Sequence, residues 1–230
     1  MNFRFEEGEI ILIDKPYRWT SFDVVNNFRS FLKTHCGIKK IKIGHAGTLD
    51  PLATGLLILC TGKFTKRIEE FKEYDKEYTG TFMMGASTPS YDLETGVDKT
   101  SDITHLTEIL IREAVASFTG DSMQVPPVFS AVKIGGKRAY EFARNELPVR
   151  LNPKPITITG FEVTNIRLPE IGFRIACSKG TYIRAIARDL GEKLQTEAYL
   201  SALCRTRVGP YHLRDAYQLE ELKSLLKNAP

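Results

Sequence analysis

An α+β fold with a largely antiparallel sheet is predicted for this 230-residue chain. Two observations carry the prediction. Strand-like apolar runs and helical periodicities are mixed without a regular β-α-β alternation. Two β-rich runs, Ile156 to Leu168 and Gly172 to Ser178, meet at Pro169-Glu170 as an antiparallel pair would.

The elements follow in order. Ile10 to Ile13 reads as a short buried strand running into the turn Asp14-Lys15-Pro16. Thr20-Ser21-Phe22-Asp23 is a capping box, with Thr20 as cap and Asp23 reaching back. Phe22, Val25, Phe28 and Leu32 then recur at helical spacing, and Gly37 ends that helix. A loop rich in Gly, Thr and Asp spans Gly44 to Thr54 and leads into the continuous apolar run Leu56 to Cys60, a buried strand. A short helix is expected over Lys63 to Phe71 and a strand over Glu77 to Met84. Gly85 to Ser101 is a long loop, a length often reserved for function. Leu106, Ile109, Leu110, Ala114 and Phe118 mark a second helix. Tyr182 to Leu194 is a third, with Ile183, Ile186, Ala187 and Leu190 on one face, and a last helix covers about Asp215 to Leu226.

Composition narrows the class. Hydrophobic residues at 42% and charged ones at 26% describe an ordinary water-soluble globule, and 230 residues are enough to bury a core without covalent staples. Cys36, Cys60, Cys177 and Cys204 contain no C-x-x-C pair; Cys60 and Cys177 sit in strand-like runs as small hydrophobes, and a reducing, cytoplasmic setting is expected. The start is polar and acidic, without a signal-peptide pattern, and no apolar run approaches a membrane span. One domain, 1–230, is expected, with 121–151 as an insertion.

The net charge of +4 is modest, but the charge is segregated. Lys33, Lys39, Lys40 and Lys42 form one basic cluster, Arg174, Lys179, Arg184 and Arg188 a second, and Arg205, Arg207 and Arg214 a third. Acids gather at Glu69 to Glu77 and at Asp92 to Asp102. Separation of this kind can give a basic face despite a small total, whereas any one cluster reads as a solvated helix face or loop. In the 121–151 stretch, Lys133, Lys137, Arg138, Arg144 and Arg150 alternate with Phe129, Tyr140 and Phe142. Cations for phosphates and rings for bases suit a nucleic acid; an amphipathic helix docked on a core has the same pattern.

Several chemistries lack their signatures. His35, His45, His105 and His212 form neither H-x-H nor H-E-x-x-H, and the chain has no Walker loop, no G-x-G-x-x-G and no G-x-S-x-G. If the chain is an enzyme, a cofactor-free reaction is what this leaves. Two stretches could carry it. In Gly44-His45-Ala46-Gly47-Thr48-Leu49-Asp50-Pro51-Leu52-Ala53-Thr54-Gly55, Pro51 restricts Asp50 to an extended or turn conformation. An Asp-Pro turn or a helix cap reads the same way. In Ser178-Lys179-Gly180-Thr181-Tyr182-Ile183-Arg184, a basic turn opens a helix, where backbone N–H groups suit an anion and Arg184 could clamp a carboxylate or phosphate. An arginine on a helix surface fits equally.

The first stretch closely resembles the catalytic motif of the TruB family, the tRNA pseudouridine(55) synthases. Asp14-Lys15-Pro16 resembles that family's N-terminal motif, and Lys76-Glu77-Tyr78 its K-x-Y. Gln124 to Lys133, followed by Gly136 and Tyr140, resembles its RNA-gripping insertion. Lys179 to Arg184, continued by Asp189-Leu190-Gly191, matches its G-T-Y-I-R motif, and Leu203 to Gly209 looks like its closing motif. The set runs in the family's order over about residues 10 to 210.

The resemblance implies a pseudouridine synthase fold acting on the T arm of tRNA, as a monomer with no obligate protein partner and no cofactor or metal. It implies Asp50 as the catalytic carboxylate: a nucleophile at C1′ or C6, or a base on a 2′ proton. It implies that Tyr78 stacks on the target base, that His45 helps hold the flipped-out loop, and that Tyr182, Arg184 and Leu203 line the pocket, with Arg184 paired to the aspartate. Lys15 and Pro16 support the site, and Lys133, Lys137, Arg138 and Arg144 grip RNA. Two departures stand out. Ala46 replaces a threonine common in relatives, and the chain stops at Pro230 without the small PUA-type domain that many relatives carry. Grip on the tRNA would then depend more on Lys133 to Arg150.

Overall fold

The apolar run near the start is a strand, β1 (Ile10–Lys15), in which Ile11, Ile13 and Lys15 are buried and the residues between them half-buried. This and all that follows comes from a computed structural model describing residues 3–130, 132–145 and 151–228. Thr20 caps α1 (Ser21–His35) through the expected reciprocal box with Asp23. The Gly- and Asp-rich stretch is less open than its composition suggests. Its first residues belong to a strand, β2 (Ile43–His45), and its last to β3 (Ala53–Thr61). A 3-10 turn (Gly62–Arg67) leads into α2 (Ile68–Lys72) and then β4 (Lys76–Met84).

The long loop is pinched by a two-residue pairing of β5 (Ala86–Ser87) with β6 (Lys99–Thr100). It is followed by α3 (Glu108–Ala116) and β7 (Gly120–Gln124). The Gly135-Gly136 turn joins β8 (Lys133–Ile134) to β9 (Lys137–Arg138), ahead of α4 (Ala139–Arg144). The predicted antiparallel pair is β10 (Lys154–Arg167) with β11 (Glu170–Cys177). After α5 (Ile183–Lys193) come β12 (Ala198–Val208), β13 (Tyr211–His212), β14 (Tyr217–Gln218) and α6 (Leu219–Lys227). The last helix starts later than its periodicity predicts, because Tyr217 and Gln218 pair in parallel with Ile13 and Asp14.

The chain forms two units, Met1–Tyr78 with Leu203–Pro230 and Thr79–Ala202, whose boundaries fall within β4 and β12. In the first, the strand order is β14-β1-β3-β12. The β1–β3 pair is antiparallel, whereas β3 and β12 run parallel, with Leu203 opposite Ala53. Period-two alternation, with both faces packed, explains why Leu56 to Cys60 of β3 are all apolar. Leu57 and Leu59 pack with Val24, Val25, Phe28 and Leu32 of α1 and Leu222 of α6. Leu56, Ile58 and Cys60 belong to a second cluster with Ala46, Phe71 and Val208. Ala46 is fully buried there, so a methyl suits the spot and a threonine hydroxyl would need a partner.

In the second unit the order is β4-β11-β10-β7. Phe82 and Phe173 stack at 4.1 Å between ring centres, and Phe161 meets Phe173 edge-on. Glycine is required at Gly80, where a Cβ would lie 2.2 Å from the Ala202 carbonyl oxygen. Among the described residues no helix is long and apolar enough to cross a membrane.

Candidate active site

Asp50 sits on the connection between β2 and β3, and buried side chains fix that connection at three points. His45 pairs with Leu59, and the Ala46 amide continues the ladder by donating to the Ile58 carbonyl at 2.9 Å. At Gly47 the chain turns away through φ +98°, a conformation that favours glycine. The first pin is Arg205 on β12, fully buried, whose Nη2 donates to the Gly47 carbonyl at 3.1 Å and whose Nε donates to Leu56 O at 2.8 Å. Its backbone lies so close to β3 that a Cβ at Gly55 would stand 2.4 Å from the Arg205 carbonyl oxygen.

The second pin is Ser21, buried in the first turn of α1. Its hydroxyl accepts from the Leu49 amide at 2.9 Å and donates to the Leu49 carbonyl at 3.3 Å. The third is Lys15, fully buried, whose ammonium donates to Pro16 O (2.9 Å), Trp19 O (2.6 Å) and Pro51 O (3.3 Å). Between the pins a turn closes as the Ala53 amide donates to the Asp50 carbonyl at 3.1 Å. Asp50 is therefore a half-buried carboxylate on a braced backbone, which is what a positioned reactive group needs.

Electrostatics follow from burial. Loss of solvent brings the Lys15 ammonium down to about 8, helped by the Arg205 cation and opposed by Asp50 and Asp14. Between pH 8 and its ordinary value of 10.5, the folded chain has released a proton that the unfolded chain keeps, so stability gains as pH rises through that window. Wild type should therefore gain stability relative to Lys15→Met between those limits, as read by urea unfolding at matched pH. A constant difference would show that Lys15 does not titrate there. His45, beside the loop, is held below the usual imidazole range by burial and by the Arg205 cation, so it is neutral at pH 7.

Arg205 is the residue here that sequence reading missed as part of a site; it stood only in a basic cluster and a closing motif. Arg205→Met would leave the Gly47 and Leu56 carbonyls without their donor. We expect kcat to fall about a hundredfold, the effect of roughly 1 Å of misplacement, with KM changed less than kcat. Circular dichroism would confirm that the variant is folded. Unchanged kcat would mean that the other two pins suffice.

Three more motif residues belong to the same unit. Lys76, buried, donates to the Lys72 carbonyl at 2.6 Å and also to Tyr74 O, closing the end of α2 where β4 begins. Strand alternation then places Tyr78 on the same buried face as Lys76. Leu203 is half-buried opposite Ala53, and its carbonyl accepts from the Thr54 hydroxyl at 3.4 Å.

Tyr182 and Arg184 belong to the second unit. Tyr182 is the N-cap of α5 but supplies no capping side chain. Gln124, buried on β7, takes that role: its Oε1 accepts from the Tyr182 amide at 2.8 Å and its Nε2 donates to the Tyr182 carbonyl at 3.1 Å. Arg184 is not on a helix surface. Its side chain is 4% exposed, with Nη1 donating to Ser90 O (3.0 Å) and Nη2 to Phe129 O (2.9 Å). Its Nε lies 3.5 Å from Asp92 Oδ2. Asp92 was visible in the sequence only as one of a run of acids. Its Oδ1 accepts from the Ser90 hydroxyl (2.6 Å) and the Glu94 amide (2.9 Å). Arg184 thus ties the long 85–101 loop to the Phe129 segment.

The four proposed RNA-gripping residues fall on the hairpin and helix just described: Lys133 on β8, Lys137 and Arg138 on β9, Arg144 at the end of α4. Arg150, read with them as basic, lies outside the described residues. Among the described residues no group of three or more His, Cys, Asp or Glu side chains is placed to hold a metal ion.

The fold is that of a pseudouridine synthase. The solved chain in "Crystal Structure of a Cbf5-Nop10-Gar1 Complex" matches with a TM-score of 0.73 and 27% identity, over 96% of this chain and 54% of that one. This chain therefore spans about half the length of that structure. The TruB family pseudouridylate synthase N-terminal model matches residues 33–183, and the tRNA pseudouridylate synthase B C-terminal domain model matches 184–229. The chain belongs to the TruB family. It is 53% identical over 222 residues to the tRNA pseudouridine synthase B of Phocaeicola vulgatus, covering 96% of this chain and 94% of that protein. It is 52% identical over 214 residues to the protein of the same name in Flavobacterium johnsoniae, covering 93% of each.

Proposed function

We propose that this chain isomerises the uridine at position 55 in the T loop of tRNA to pseudouridine, with Asp50 as the group that attacks or deprotonates the nucleoside. The observation that carries the reading is the bracing of Asp50: three buried side chains from α1, β1 and β12 hold its loop through main-chain atoms. The naming of close relatives as tRNA pseudouridine synthase B supports the substrate.

The chemistry suits the residues. The N1–C1′ bond breaks, the uracil turns, and C5 bonds to C1′; C5 then loses its proton and the freed N1 gains one. Substrate and product are isomers, so the balance requires no cofactor. The target base leaves its stack to be reached, at a cost of a few kcal/mol. A neutral His45 can fill vacated space without carrying a charge into it. Tyr78 offers a flat face for the turning uracil, and the family resemblance assigns substrate contacts to Tyr182, Arg184 and Leu203. Lys15 and Pro16 brace the loop, and Lys133, Lys137, Arg138 and Arg144 hold RNA phosphates. We further propose that the chain works as a monomer in the cytoplasm, without a protein partner.

The test is tritium release from a T-arm stem-loop labelled at C5 of its uridines. Release is expected from the wild-type chain, and none when position 55 carries an unlabelled cytidine and the other uridines remain labelled. No release from the uridine substrate, with RNA still bound, would make the chain an RNA-binding protein without this chemistry.

A further inference from the structure

The turn between β1 and α1 has features that bracing Asp50 does not require. Arg18 occupies the left-handed region at φ +65°, where a side chain is uncommon and glycine is at ease. Among the described residues its guanidinium meets the Tyr17 ring, 5.6 Å from the centroid, and pairs with no carboxylate. Tyr17 is 50% exposed and Phe22 59%. Arg18, Trp19, Asp23, Asn26 and Asn27 line a cleft of about 510 Å³, large enough for a nucleotide.

The charges around the cleft are settled by named bonds. Asp23 Oδ2 accepts from the Thr20 amide (2.8 Å) and hydroxyl (2.7 Å), which holds the carboxylate at the cap. Arg29 Nη1 donates to Asn26 Oδ1 at 2.8 Å, leaving the Asn26 amide nitrogen as a donor on the cleft. The fixed negative charge of Asp23 disfavours a phosphate beside it. Arg18, exposed and without a carboxylate partner among the described residues, favours one. The turn also adjoins the Asp50 loop, because Trp19 O and Pro51 O accept from the same Lys15 ammonium. RNA with a nucleotide at Asp50 would lie within reach of this turn.

We propose that the Tyr17–Arg18–Trp19 turn is a second RNA contact, which seats an unpaired nucleotide of the substrate beside the one being modified. Its phosphate sits on Arg18 and its base packs on the exposed aromatic surface. A strained backbone that carries an unpaired cation is then explained by function. The inference rests on the proposed RNA substrate.

Arg18→Gly tests it, because glycine accepts φ +65° and keeps the turn. Binding of the T-arm stem-loop is measured by fluorescence anisotropy across a salt series, in an Asp50→Asn background that avoids turnover. Arg18→Gly is expected to raise Kd roughly fivefold and to make the salt dependence shallower by about 0.7 in log-log slope, the loss of one single-strand phosphate contact. Tyr17→Ala should raise Kd without changing the slope. Arg112→Gln, on exposed α3, removes the same charge elsewhere and should do neither. Unchanged Kd and slope in Arg18→Gly would overturn the proposal. So would an equal loss in Arg112→Gln, which would show long-range attraction alone. If the wild-type chain releases no tritium from this RNA, the substrate reading fails first and takes this contact with it.

Discussion

Asp50→Asn is expected to lower tritium release from the T-arm stem-loop by at least about a thousandfold, or roughly 4 kcal/mol of barrier, while RNA binding and fold are kept. The fold is kept because the bracing bonds use main-chain atoms. The Ala53 amide donates to the Asp50 carbonyl, Ser21 grips the backbone of Leu49, and Lys15 grips that of Pro51. Asparagine matches aspartate in size, so only the charge and nucleophilicity go. The Asp50 charge also supports the Lys15 ammonium, so the variant should lower the Lys15 titration further. Residual turnover near wild type would remove Asp50 from the chemistry and leave the braced loop as a binding element. Lost turnover with a much lower melting temperature would mean that the charge holds the fold as well.

Much of the fold was legible because its signals are local. The Thr20–Asp23 box, the apolar run of β3 and the β10–β11 pair follow from capping, burial on both faces and alternation. β12 was not. Its sequence, AYLSALCRTRV, places serine, cysteine, threonine and two arginines in a strand, and Arg205 is buried there because carbonyls 149 and 158 residues away accept its protons. No spacing rule reports a partner that distant. The motif resemblance named Lys15, Asp50 and Arg184 and paired Arg184 with the catalytic aspartate, but it did not name Asp92, Ser90 O and Phe129 O as partners of Arg184 or the carbonyls held by Lys15. Ser21 read as part of a cap, and it is also the pin on Leu49. Asp92 read as one acid in a run, and burial sets it apart. Gln124 read as part of a motif, and it bonds the backbone of the α5 N-cap, where the Tyr182 side chain makes no cap bond. In each case the residue type was visible, and its partner became visible only when the chain folded.

Arg184→Met is expected to destabilise the chain by about 3–5 kcal/mol, the cost of leaving the other member of a buried ion pair uncompensated. Asp92 would keep its charge at low exposure, having lost the guanidinium beside its Oδ2, while the Ser90 hydroxyl and the Glu94 amide still donate to its Oδ1. The carbonyls of Ser90 and Phe129 would lose their donors at the same time. Arg184→Lys should recover only part of the loss, since one ammonium cannot reproduce a planar fork with separate partners. Combining Arg184→Met with Asp92→Asn should recover more, because it removes the stranded charge while keeping acceptors for Ser90 and Glu94. Urea unfolding measures all four proteins, and amide exchange over residues 85–101 locates the loss. Turnover measured well below each midpoint then tests the proposed contact of Arg184 with the substrate. If the double variant regains stability but not activity, Arg184 acts on the substrate as well as on the loop. If Arg184→Met alone unfolds at the wild-type midpoint, Asp92 is compensated without it, and the arginine is kept for the pocket alone.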